Sequence, residues 1–338
     1  MSFAGGNALA GASGALRTSL CRLFVTVLFI TTSCKPSATN GPTNAADSLG
    51  TLPTGVQSIP VTGRNDLVES SSATMTPSQP GIIFTINDSG NEPILFALDT
   101  LGFVRGTWRI AGATDVDWES TAQGTCHAAD EKPDASSCIF IGDAGDNRAH
   151  RTAVVIYQVH EPTISSDSAE QTLDARKLVF RYPDGPHDVE AMYVSHDGTT
   201  HLITKRPLKT PNGVLRQALI FALPAALWTR SDTVVATLLD SLPIVPGSGD
   251  DRYITDASLS FDSRFLAVRT YRQVFVFRTD SITGRVEKSA APTVCNVSAV
   301  ENVPGEGITW FGATRQLLLN SEKLNEPMHL VTCPLPSR

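Results

Sequence analysis

Glu190-Ala-Met-Tyr-Val194, followed by His201-Leu-Ile-Thr-Lys205, decides the fold because the same phrase recurs along the chain. An acidic residue enters a small or apolar run, and a second β-rich run then ends on a charged residue. The phrase appears as Glu69-Ser-Ser-Ser-Ala73 with Ile82-Ile-Phe-Thr-Ile-Asn-Asp88, and as Glu119-Ser-Thr-Ala122 with Cys138-Ile-Phe-Ile-Gly-Asp143. It returns as Asp256-Ala-Ser-Leu259 with Phe265-Leu-Ala-Val-Arg269, and as Glu306-Gly-Ile-Thr-Trp310 with Gln316-Leu-Leu-Leu-Asn-Ser-Glu322. Successive copies begin 50, 71, 66 and 50 residues apart. That spacing suits four short strands with variable loops, arranged as radial blades. An all-β propeller of five blades is therefore expected. Six blades are the alternative if a long interval hides a degenerate copy, and a β-sandwich is the rival fold, which leaves the recurring acid unexplained.

Between the copies, β-rich runs alternate with Gly, Pro, Asp and Asn turns, as at Val104 to Ile110, Val154 to Val159 and Gln273 to Phe277. Only Pro224 to Ser231 has the character of a brief helical turn. The last copy shows about three strands before Arg338, so Ile59 to Thr62 is expected to supply the missing outer strand and close the ring.

Residues 1–33 read as a signal peptide: Arg17 and Arg22 precede the apolar run Leu23 to Ile30, which is too short to span a bilayer. Thr31-Thr-Ser-Cys34 resembles a bacterial lipobox, in which Cys34 takes the lipid, although Thr31 stands where Leu is usual. Ordinary cleavage near Ser33 is the alternative. Residues 34–57, rich in Pro, Ser, Thr, Asn and Gly, read as a flexible tether, which leaves 58–338 for the propeller. The expected location is the bacterial cell envelope, lipid-anchored.

The 338 residues carry a net charge of -7 and 41 % apolar content. That supports a full core and argues against a nucleic-acid surface. Beyond Cys21 and Cys34, four cysteines remain in two sequence-local pairs, Cys126 with Cys138 and Cys295 with Cys333. An exported location permits a disulfide in each pair; four buried free thiols are the alternative.

Asn87-Asp-Ser-Gly-Asn91, Asp117-Trp-Glu119, Gly142-Asp-Ala-Gly-Asp-Asn147, Tyr182-Pro-Asp-Gly185 with Asp188-Val-Glu-Ala191, Arg269-Thr-Tyr271 and Gly305-Glu-Gly-Ile308 carry a family likeness. Together, over Glu69 to Glu322, they resemble exported bacterial β-propellers similar to the SdiA-regulated and phytase-like propeller families. The resemblance implies acidic residues at a central channel and calcium binding. No phytase signature is matched residue by residue.

Pseudo-rotational symmetry turns one acid per blade into a ring. Glu69, Glu119, Glu190, Asp256 and Glu306 are accordingly expected to converge at the channel mouth and to hold calcium, which accepts six to eight oxygen ligands. The acids capping turns or facing solvent are the plainer alternative. The ends of the second runs, Asp88, Asp143, Lys205, Arg269 and Glu322, are mixed in sign. With Arg206 they are expected to hold a small anionic ligand, or else to form salt bridges between blades. There is no Gly-x-Ser-x-Gly elbow, P-loop, dinucleotide fingerprint or His-Glu-x-x-His motif. Two functions stay open: a monomeric envelope module binding calcium and an anionic ligand or partner, slightly favoured, and a calcium-dependent phosphoesterase or esterase. No residue declares itself as the general base that the second needs.

Lipidation at Cys34 is directly testable. Metabolic labelling with a palmitate analogue should mark the parent protein and not the Cys34→Ala variant; equal labelling of the two would exclude the anchor.

Overall fold

A computed structural model describes residues 57–59, 67–127, 133–164, 170–205, 217–244, 253–300, 305–323 and 326–337. The proposed signal peptide, Cys34 and almost all of the tether lie outside these residues. Within them the chain is nearly all β, and its strands form five separate sheets arranged as a propeller.

Each sheet is built on an antiparallel meander whose innermost strand carries the first run of one copy of the repeated phrase, or in blade 1 directly follows it. The inner strands are Thr74–Met75, Trp118–His127, Val189–Val194, Ile254–Leu259 and Gly305–Trp310, in blades 1 to 5. Successive side chains on a strand point to opposite faces, and in a propeller both faces meet a neighbouring blade. Strand Gln273–Arg278 shows the consequence. Phe275 and Phe277 pack with Leu266 and Val268 against blade 3, while Val274 and Val276 pack with Ala267 against Ile308, Leu317 and Leu319 of blade 5. Five such buried clusters occur among the described residues, one in each gap between blades. This explains why the second and third strands read as near-continuous apolar runs, which a one-sided sandwich would not require.

The long intervals of 71 and 66 residues hide no sixth blade. The connection within blade 2 carries Gln171–Leu173, which pairs in parallel with the outer edge of blade 1 at Trp108 to Ile110. The connection within blade 3 carries Val234–Val235, which pairs in parallel with Phe180 and Arg181 of blade 2. Each of these blades thus lends a short strand to its predecessor, covering an edge that would otherwise be open to pairing with other chains. The short helical turn falls at Ala225–Thr229 as a 3-10 helix.

Ring closure follows the expected route with a shift in register. Gln57–Ile59 forms the outer strand of blade 5, antiparallel to Met328–Thr332; the rest of the expected closing run, 60–62, lies outside the described residues. Both cysteine pairs are disulfides. Cys126–Cys138, with Cα atoms 5.0 Å apart, staples the inner hairpin of blade 2, and Cys295–Cys333, at 5.8 Å, joins the outer strand of blade 4 to the segment leaving blade 5.

The second bridge spans 38 residues and the first 12. Chain entropy then gives about 4 kcal/mol of stabilisation for Cys295–Cys333 against about 3 kcal/mol for Cys126–Cys138. Paired Cys→Ser replacement followed by urea unfolding should show the larger loss for the bridge between blades. No loss from either replacement would refute their structural role.

Candidate functional site

Strand pairing fixes which residues are equivalent from blade to blade. At the start of each inner strand one residue pairs with the end of the next strand: Ser70 with Asn87, Trp118 with Asp143, Val189 with Thr204, Ile254 with Thr270 and Gly305 with Ser321. In blades 2 to 5 the register shifts immediately afterwards. A bulge of this kind leaves its extra residue unpaired and re-aims the side chain. The bulged positions hold Glu119, Glu190, Thr255 and Glu306, and the counterpart in blade 1 is Ser71.

Three of the five expected acids are therefore equivalent, and two are out of phase. Asp256 sits one residue past the bulge, and one step along a strand reverses the side chain. Its Oδ2 accepts from Ile308 N at 2.9 Å, Ser72 Oγ at 3.2 Å and Ala73 N at 3.3 Å, while Oδ1 accepts from Ala257 N at 2.8 Å. It is a brace between blades 4, 5 and 1 rather than a member of the acid ring. Glu69 lies two residues early. Asp88 N donates to Glu69 O at 2.9 Å, as Lys205 N donates to Asp188 O at 2.9 Å, so the counterpart of Glu69 is Asp188. Its side chain is exposed and accepts from Asn91 Nδ2 at 3.1 Å.

The mixed-sign set is also shifted. The equivalent residues after the second strands are Asp88, Ala144, Lys205, Tyr271 and Glu322. Asp143 is ion-paired at 2.8 Å with Arg151, whose Nη1 also donates to Gly145 O at 2.9 Å. Arg269, fully buried, donates from Nη1 to the backbone oxygens of Gly307 and Asn320, each at 2.6 Å. It braces blade 5, and its charge acts on Glu306 against the upward shift. Arg206 lies outside the described residues.

At the mouth, the carboxylates of Asp88, Asp117 and Glu119 each bring one oxygen within 4.8 Å of the other two. Glu119 Oε2 accepts from Ser71 Oγ at 2.9 Å. The loop after Asp143 is drawn over this trio, since Gly145 N donates to Asp117 O at 3.2 Å. A Cβ at Gly145 would lie 2.7 Å from Asp117 Cγ and from Glu119 Cγ, so only glycine allows that approach. Beside the trio, Lys205 is ion-paired with the fully buried Glu190 and lies 5.8 Å from the centre of the Tyr271 ring.

Electrostatics at the mouth favours added positive charge. Burial pushes Glu119 well above the usual carboxylate range, helped by Glu190 and Asp88, and does the same to Glu306, helped by Glu322 and Glu119. Asp117 is raised to about 6 by burial, with Asp88 and Asp188 contributing. Burial alone would lower Lys205, but Glu190 outweighs it and holds the ammonium charged. Lys205 acts on Asp88, Glu119, Glu190, Glu306 and Glu322 alike, with Arg269 adding to it at Glu306 and Lys323 at Glu322, yet each of these acids stays raised. Such a cluster takes up protons or a cation.

Asp117, Asp188, Ser71 and Tyr271 belong to this site and were not singled out as site residues from the sequence. The signal for the first two is present as the repeated Asp-x-Glu of Asp117-Trp-Glu119 and Asp188-Val-Glu190. A second grouping, Cys126, Cys138 and His160, is accounted for by the disulfide.

No family model and no curated protein matches the chain. Solved structures that resemble it include the β-propeller domain of Cps50 (Swd1) from Myceliophteria thermophila, at 11 % identity and TM-score 0.37, covering 82 % of this chain and 99 % of that one. A gluconolactonase from Xanthomonas campestris gives 11 % and 0.39, covering 84 % and 99 %. Virginiamycin B lyase from Staphylococcus aureus gives 10 % and 0.36, covering 78 % and 66 %. Likeness at this level assigns no activity.

Asp115 provides a test of the mouth electrostatics. Burial raises it to about 8, with Asp143, Asp88 and Asp117 adding to the shift. The folded state then keeps a proton that the unfolded chain releases near pH 4, so stability falls as pH rises toward 8. His127, His201 and His329, each lowered to about 4 by burial, oppose this only below about pH 7, where unfolded histidine is charged. In chelator, urea unfolding between pH 7 and 8.5 should show a fall that shrinks by about 1 kcal/mol in Asp115→Asn. An unchanged fall would mean that Asp115 is already ionised at neutral pH.

Proposed function

We propose that this protein is a cell-envelope β-propeller that binds a divalent cation, calcium, at its acidic channel mouth. The observation that carries the reading is the convergence of Asp88, Asp117 and Glu119 from two blades, under a loop that only a glycine lets approach. The donor set is oxygen alone, which suits calcium and not zinc, whose protein sites favour nitrogen and sulfur. Glu190 and Glu306 add negative potential from the next blades. A cation held by three carboxylates keeps coordination positions for water and for a small anionic ligand or an acidic group of an envelope partner. This assigns anion recognition to the metal, since Arg269 and Lys205 are engaged within the protein.

Export is supported by the two disulfides, and no helix among the described residues is long and apolar enough to cross a membrane. The lipid at Cys34, the monomeric state and kinship with the SdiA-regulated and phytase-like families belong to the same proposal. The hydrolase reading has one observation in its favour: Asp117, itself one of the trio, is raised to about 6 and is a carboxyl able to exchange a proton near neutral pH. Turnover of a phosphomonoester, ester or lactone only when calcium is present would select that reading.

Calcium at about 100 times its dissociation constant should add about 2.7 kcal/mol of stability relative to chelator, a rise of roughly 5–10 °C in Tm for a domain of this size. Asp117→Asn and Asp88→Asn should each remove most of that rise. A Tm indifferent to calcium in the parent, or an equal rise in both variants, would end the proposal.

A further inference from the structure

The inner strands of blades 4 and 5 start at the acidic mouth and end on the opposite face, at Leu259 and Trp310. There a cleft of about 610 Å³ opens between the two blades, a volume that accommodates a small organic molecule. Phe261, Phe265 and Leu335 contribute apolar lining, and Arg264, Arg278 and Arg315 bring three cations to it. The indole N–H of Trp310 is already given to Ser258 O at 2.9 Å.

The charges do not cancel. Asp262 lines the cleft, but its Oδ2 is 4.0 Å from Arg264 Nε, and Arg278 Nε is tied to Glu287 Oε2 at 3.2 Å. Three guanidinium groups thus face two carboxylates, on a chain whose net charge is -7. Arg315 makes no ion pair among the described residues. Arg278 lies 5.8 Å from the centre of the Phe265 ring, which orders its planar group at the wall.

We propose that this cleft binds a small organic anion, a carboxylate or phosphate group carried on an aromatic or alicyclic body. Arg315 and Arg264 take the anionic group through charge-assisted hydrogen bonds, for which guanidinium geometry is suited. Phe261, Phe265 and Leu335 take the body. The site is separate from the cation site at the mouth and does not depend on it.

Calorimetric titration of the full protein in chelator tests this, with phenyl phosphate, benzoate, inorganic phosphate and benzyl alcohol as probes. At least one aromatic anion should bind, with inorganic phosphate and benzyl alcohol weaker by about tenfold or more. Which of the two aromatic anions binds better identifies the head group. Arg315→Ala and Arg264→Ala should each weaken the better ligand about tenfold, and Arg315→Lys should restore part of the loss. Asp117→Asn at the mouth should leave it unchanged. Both arginines are exposed turn residues, so an unaltered Tm in the variants shows that the fold is kept. Failure of both aromatic anions to bind at millimolar concentration would overturn the proposal, as would binding that survives both arginine replacements or follows the mouth variant instead.

Discussion

Asp256 is held on all sides by the closure of the ring. Its carboxylate accepts from Ser72 and Ala73 of blade 1, Ala257 of blade 4 and Ile308 of blade 5, so it couples three inner strands that are distant in sequence. Burial raises its affinity for a proton, and the four donors act against that shift. A buried carboxylate stripped of such donors would be strongly destabilising. The approach of the strands is close enough that a Cβ at Gly307 would lie 2.5 Å from the carbonyl carbon of Ser72. Around this point the axis is filled by small polar side chains. Ser72 Oγ lies 2.9 Å from Thr121 Oγ1 and accepts from Thr121 N at 2.8 Å, and Thr255 Oγ1 donates to Glu306 O at 2.9 Å.

That filled axis gives the acidic mouth its character. Close to the hydrogen-bonded Ser72, Thr121 and Asp256, Glu119, Glu190 and Glu306 are buried, so solvent screens their charges little. Their burial is a consequence of five short inner strands meeting at one axis. The bulges make it unavoidable, because they turn the first side chain of blades 2, 3 and 5 toward that axis. A fold that places like charges in such a position spends stability there, which is the usual signature of a site kept for binding.

The fold was legible in the sequence because it repeats. Copies that begin 50 to 71 residues apart define the blades whatever the loops do, and the missing last strand pointed to the chain start for closure. The borrowed strands Gln171–Leu173 and Val234–Val235 were not legible, being two or three residues long and placed by neighbours rather than by their own pattern. The site was legible only to within a residue or two. Alignment on the nearest acid brought Asp256 and Glu69 into a set to which their backbone positions do not belong, since blade 4 has Thr255 and blade 1 has Ser71 at the equivalent place. Period-two geometry makes that small error decisive, because the adjacent residue faces the other way. The repeated Asp-x-Glu of blades 2 and 3 marks the phase correctly, as its two acids straddle the paired residue.

Strand direction also sorts the chemistry between the two faces. Every inner strand runs the same way, so the residues before and at each bulge form one face and the turns after each inner strand form the other. Asp117, Glu119, Asp188, Glu190 and Glu306 fall on the first by that rule, and Arg264 and Arg315 fall on the second, each in the turn that follows an inner strand. The depth of the ring, about the length of a six-residue strand, is near 20 Å, roughly twice the Debye length at physiological ionic strength. Exposed charges on the two faces are therefore screened from one another, and for the buried acids the distance itself weakens the interaction. The acids at the mouth find their counter-charge locally, in Lys205, Arg151, Arg269 and Lys323 or in a bound cation, and the arginines of the cleft find theirs in Asp262, Glu287 or an incoming anion.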